Sequence, residues 1–164
     1  GLIKEPISSE NLTETCKEYF SYIWKLYYEM QMPFLLDFKK LYGDLESFHI
    51  SGMVIVNHAL DSKKNDNSKI SKEFYLEKYF FTDQKEFSGI NAMSISEITG
   101  IPRATVIRKL KKLVKLKFLR LDEKKQYSTT GHHAQKLLEI QKKTYSNLSK
   151  LASSIYNLTL MKNN

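Results

Sequence analysis

Cations are the residues best equipped for chemistry in this chain. Arg103, Thr105, Arg108, Lys109 and Lys112 share one short stretch, and Thr105, Arg108 and Lys112 step by three and then four. That spacing sets side chains along one stripe of a helix. A guanidinium on such a stripe can donate two parallel hydrogen bonds to the edge of guanine, while threonine and lysine hold phosphate oxygens. Lys124 and Lys125 follow in a polar turn, where they would meet backbone phosphate. The expected partner is double-stranded DNA. A solvated helix face is the bland alternative for the same charges.

Other reactive types are poorly placed. His132 and His133 are adjacent, and neighbouring positions on a helix diverge by about 100°, so they do not chelate one ion together. His49 and His58 miss the i, i+4 spacing of helical metal ligands. No metal and no cofactor are expected. The chain has no GxSxG elbow, no P-loop and no dinucleotide-binding glycine pattern, so it is not read as an enzyme. Cys16 is the single cysteine. It cannot form an internal disulfide, which suits a reducing, cytoplasmic compartment, and on the apolar side of its helix it reads as packing rather than a redox sensor. Tyr22, Trp24 and Tyr28 fall off that apolar side. They call for a second contact surface, supplied by a partner subunit or by a small aromatic or apolar effector.

Helices must position most of these groups. Residues 9–42 read as helical from Leu12, Cys16, Tyr19, Phe20, Ile23, Tyr27 and Met30, which recur at three- and four-residue steps. Pro33 is expected to break or kink this helix after Gln31, and Gly43 to end it. A second helix is expected from Asp44 to Leu60, with a strand as the alternative for the β-branched run around Ile50–Val56. Residues 61–71 read as a loop, 72–81 as a short helix, and Phe87–Gly89 as a further loop. Ser94 or Ser96 would cap a helix that points Ile95 and Ile98 at a core. Gly100 would stop it, and Pro102 would open a second helix running to about Lys115. Two helices joined by a tight glycine turn form a helix-turn-helix. Residues 117–121 and 126–129 read as two strands of a hairpin, and His132 to about Leu158 as a long helix. Leu148, Leu151, Ile155 and Leu158 step as an interhelical seam.

Length and composition agree. With 164 residues, 41% of them hydrophobic and 12% aromatic, the chain can build its own core. Its longest clean apolar run, Met53–Val56, is far short of a membrane span, and no charged-then-apolar leader opens it. Gly1 stands where an initiator Met would, so the chain is expected to begin inside a longer product or after a removed tag. The net charge of +8 is uneven: between Ala92 and Gln126 ten basic residues face three acidic ones, whereas residues 1–61 are net acidic. A polyanion would therefore be drawn to one segment.

The run SEITGIPRATVIRKLKKLVKLKFL resembles the helix-turn-helix of winged-helix bacterial transcription regulators, of both the MarR type and the IclR type in its Thr-Gly-Ile-Pro-Arg-Ala-Thr-Val core. The exit Tyr127-Ser128-Thr129-Thr130-Gly131 is similar to the MarR-type ending. Asp122-Glu123-Lys124-Lys125 stands where that family carries Asp-x-Arg-Arg, and the region before residue 92 is longer than a minimal member needs. The resemblance implies a mostly α winged helix-turn-helix fold, with N-terminal helices and a long C-terminal helix that interlock two subunits. It further implies a cytoplasmic homodimer that regulates transcription, its paired helices 102–115 in successive major grooves and its wings, 117–129, on the backbone or minor groove. Residues 1–91 would then serve dimerisation and an effector pocket, 92–130 DNA binding, and 131–164 dimerisation. Two alternatives stay open: a winged helix that bridges proteins without binding DNA, and a regulator that senses a ligand among its N-terminal aromatics.

Overall fold

The computed structural model describes residues 7–65 and 89–162. Among them the chain is mostly helical, with one small antiparallel sheet. The elements are α1 (Ser9–Glu18), α2 (Phe20–Tyr42), α3 (Leu45–Asn65), α4 (Ala92–Thr99), α5 (Arg103–Lys115), β1 (Leu119–Leu121), β2 (Tyr127–Thr129) and α6 (Ala134–Lys162). The helix expected over 72–81, residues 66–71 of the expected loop, and Phe87–Ser88 lie outside the described residues. The elements divide into two compact units, one of residues up to Leu36 and from Ile140 onward, the other Asp37–Glu139. This division cuts across the three sequence segments, because residues 131–164 are shared between the units.

Among the described residues, the unit Asp37–Glu139 holds nearly all of the apolar core. Among residues 45–57 of α3 the buried positions are Ser47, Ile50, Ser51 and Val54, a helical period, and the strand alternative for this run is not realised. The helix also continues through 61–65, which were expected to be loop. Asn91, not Ser94 or Ser96, caps α4: its side chain accepts a hydrogen bond from the Ser94 N–H at 2.9 Å. Ser96 Oγ donates instead to the Ile101 carbonyl at 2.7 Å and braces the turn. Ile95 is fully buried, but Ile98 is 63% exposed. A two-turn helix packed along a narrow stripe buries one of two residues whose directions differ by about 60°. Gly100 adopts φ +68° and closes α4 as expected, and Pro102 sits at the cap of α5 rather than inside it.

Val106, Leu110 and Leu113 drive α5 into the core, with Val114 half-buried. At its end the Lys117 N–H donates to the Val114 carbonyl (3.0 Å) and the Phe118 N–H to the Leu113 carbonyl (2.9 Å), a Schellman closure that buries Phe118. The hairpin pairs Leu119 with Thr129, Arg120 with Ser128 and Leu121 with Tyr127. Ile90 bridges Tyr127 through two backbone hydrogen bonds of 3.0 and 2.9 Å, so the residues before α4 add a third, one-residue rung to the sheet. Phe118 lies 4.4 Å from the Tyr42 ring and 3.9 Å from the His133 ring, centroid to centroid.

The other unit is α1, α2 up to Leu36, and α6 from Ile140. Pro33 does not break α2; it lies inside that helix, forfeiting one backbone hydrogen bond while the flanking turns carry the helix through. The interruption falls at Tyr19, whose φ of −99° and ψ of 31° separate α1 from α2. Thr159 Oγ1 donates to Thr15 Oγ1 at 2.9 Å, both side chains buried, and this joins α6 to α1. Of the expected seam, Leu148 is exposed, while Leu151, Ile155 and Leu158 are only partly covered.

Candidate nucleic-acid interface

Helical geometry sorts the cations of α5 into three groups. Val106, Lys109, Leu110 and Leu113 form the inward face. Arg108, Lys111 and Lys115 stand opposite and are exposed, as the 100° step per residue requires. Thr105 and Lys112 lie on one flank, Thr105 half-buried, and Arg103 is exposed at the helix start. Of the expected stripe, Arg108 alone lies on the outward face, and Thr105 and Lys112 lie on its shoulder. Lys111 and Lys115 were missed as site residues, although their signal was present: both project opposite Val106, Leu110 and Leu113.

Lys109 is corrected outright as a member of the exposed face. Its side chain is buried, with Nζ 2.8 Å from Asp44 Oδ1 and 3.3 Å from Glu46 Oε2. Position 109 falls three after Val106 and four before Leu113, within the core face. Lys112 is half-committed in the same way: its Nζ donates to the Tyr42 carbonyl at 3.2 Å and to Asp44 Oδ2 at 3.1 Å. Asp44 also caps α3, accepting from the Ser47 N–H at 2.7 Å and the Ser47 hydroxyl at 3.0 Å. Partial burial pushes its carboxyl upward, but the hydrogen bonds from Lys109, Ser47 and Lys112 outweigh this and hold it well below the usual carboxylate range. Gly43, at φ +86°, lets the chain turn here; a Cβ would lie 3.0 Å from Lys112 Nζ. The end of α2, the start of α3 and the inner side of α5 are therefore fastened at one point.

The hairpin carries its own cations. Lys124 and Lys125 are exposed in the turn, which is closed by the Asp122 N–H on the Gln126 carbonyl (3.0 Å) and the Lys125 N–H on the Asp122 carbonyl (3.1 Å). The Gln126 N–H donates to Asp122 Oδ1 at 2.8 Å. On β1, Arg120 Nε donates to Ser128 Oγ at 2.8 Å.

The other expected sites fare differently. His133 Nε2 donates to the Leu116 carbonyl at 2.8 Å, so this histidine fastens the end of α5. Among the described residues no three His, Cys, Asp or Glu side chains gather as a metal would need, and no helix is long and apolar enough to cross a membrane. Tyr22, Trp24 and Tyr28 are all exposed. An open apolar groove of about 350 Å³ does run along α1, α2 and α6, lined by Cys16, Phe20, Ile23, Trp24, Tyr27, Leu151 and Ile155, with Thr13 and Lys17 at its edge. Of the three expected pocket residues it takes only Trp24. Tyr22 and Tyr28 stand outside its lining, because their positions on α2 turn away from those of Phe20, Ile23 and Tyr27.

Against family models, curated proteins and solved structures, the chain matches none.

Proposed function

We propose that residues 37–139 form a winged helix that binds duplex DNA and regulates transcription, with α5 in the major groove and the β1–β2 hairpin as its wing. One observation carries this reading: the outward face of α5 presents Arg108, Lys111 and Lys115, and the hairpin that follows presents Lys124 and Lys125, all exposed. The order α3, the Ile90 rung, α4, the Gly100 turn, α5 and a hairpin supports the winged-helix part. Arg108 is then the base reader, and Arg103, Thr105, Lys111 and Lys115 hold phosphate. Lys112 contributes the part of its charge that Asp44 leaves unmatched, and Lys109 contributes orientation of α5.

The protein acts as a homodimer through its other unit. Among the described residues, eleven of the seventeen exposed large apolar side chains belong to that unit, against one of the sixteen buried ones, Ile23. Three helices with so small a core require a cover. The groove beside Trp24 also keeps an effector-sensing role open for the same unit.

The test is a gel-shift titration with a labelled duplex at several salt concentrations. DNA binding predicts that log affinity falls linearly with log salt, with a slope of several phosphates. Selection from a random duplex pool should return a palindrome with half-sites about one helical turn apart. Negligible salt-dependent affinity would overturn the reading and favour a protein-bridging module.

A further inference from the structure

Two residues other than glycine adopt positive φ among the described residues, and both are lysines of the basic segment: Lys117 at φ +62° and Lys125 at φ +59°. Each occupies a position whose geometry asks for glycine. Lys117 is the left-handed residue of the Schellman closure of α5, a place that glycine fills most often. Lys125 is the left-handed residue after the hairpin turn, where Asp122 and Gln126 resume pairing, the glycine position of a bulged turn. Hydrogen bonds hold both conformations. Lys117 is held by its N–H on Val114, by the Phe118 N–H on Leu113, and by the Thr130 hydroxyl, which donates to its carbonyl. Lys125 is held by the hydrogen bond of its N–H to Asp122.

A side chain with Cβ is disfavoured in this region, and such residues persist where the surroundings over-determine them. Asparagine is the usual substitute for glycine there. Lysine brings no local hydrogen bond that favours the left-handed form. Its distinguishing property is a flexible cation, and both side chains are exposed, one at the base of the hairpin and one at its tip.

We infer that Lys117 is a nucleic-acid phosphate contact paired with Lys125, the two lysines bracketing β1 so that the hairpin grips one phosphate strand at both ends. This rests on the DNA-binding reading above and adds Lys117 to it. Stability is sacrificed at two glycine positions to keep two charges.

The experiment measures two quantities that move in opposite directions. Lys117→Gly and Lys125→Gly are compared with the unaltered protein by thermal unfolding and by salt-titrated binding to a labelled mixed-sequence duplex. Each substitution should raise Tm by about 2–4 °C and lower the salt slope by about 0.9, with additive effects in the double variant. Lys117→Arg should keep the slope, and Lys117→Asn should lower it as much as Lys117→Gly does. A Lys117→Gly protein with unchanged slope, whatever its Tm, overturns the assignment of Lys117, as does an Asn variant that binds like the parent. An unaltered protein that shows no salt-dependent affinity overturns the DNA reading itself, a result distinct from variants that all bind alike.

Discussion

At Asp44 a single carboxylate caps one helix and pairs with two lysines of another. Asp44→Asn keeps the shape but removes the charge, and it should destabilise the protein by about 1–3 kcal/mol in urea unfolding. The pH dependence follows from the direction of the shift. The folded carboxyl titrates below its ordinary value of 3.8, so its stabilisation is complete above that pH. It is lost as pH falls from there toward the lower folded value. Acid unfolding of Asp44→Asn should accordingly be shallower than that of the parent below about pH 4. The neighbouring cations separate by role. Arg108→Ala should cost about 1–3 kcal/mol of DNA affinity and relax preference at one base pair, seen by competition among duplexes. Lys109→Met should leave the salt slope unchanged, because its ammonium already faces Asp44 and Glu46. A lowered slope for that variant would return Lys109 to the DNA face.

Among the elements, the turn between α4 and α5 depends on Gly100, where an added Cβ would meet no atom within 4 Å. The cost of Gly100→Ala is therefore purely conformational, about 1 kcal/mol, and it should appear as a lower Tm with unchanged spectroscopic helix content. Helix α2 offers the reverse case. Pro33 lies in its interior, so Pro33→Ala restores a backbone donor and should raise stability by about 1–3 kcal/mol in denaturant unfolding. No gain would mean that the proline ring is itself a packing element. The Gly100 stop and the hairpin were legible from sequence because each depends on residues within a few positions; the cap of α4 was not, since Asn91 fills it rather than Ser94 or Ser96. Continuity through Pro33 was not legible: the local penalty of proline argues for a break, yet the helix runs on through it.

At the scale of the whole molecule, the buried apolar residues among those described concentrate in Asp37–Glu139 and the exposed ones in the other unit. The homodimer reading predicts a concentration-dependent mass in sedimentation, and Phe20→Glu combined with Leu148→Glu should shift it to that of one chain. Both side chains are exposed, 58% and 43%, so the isolated chain should lose little stability. A mass independent of concentration and of both substitutions would remove the dimer from the proposal. The sequence could flag Tyr22, Trp24 and Tyr28 as surplus to one apolar face, and of these the groove along α1, α2 and α6 takes Trp24. Groove walls come from α1 and α6 together, and no local period encodes which helix supplies the second wall.

From the sequence alone came the helical periods, the glycine stop, the hairpin and the concentration of positive charge, all properties of near neighbours or of composition. Only the tertiary structure decided which of those charges are free. Lys112 meets a carboxylate 68 positions earlier in the chain, and Lys109 shares that same aspartate. Helical period already sets position 109 on the core face between Val106 and Leu113, but which acid meets its ammonium there is decided by a helix far away in the sequence.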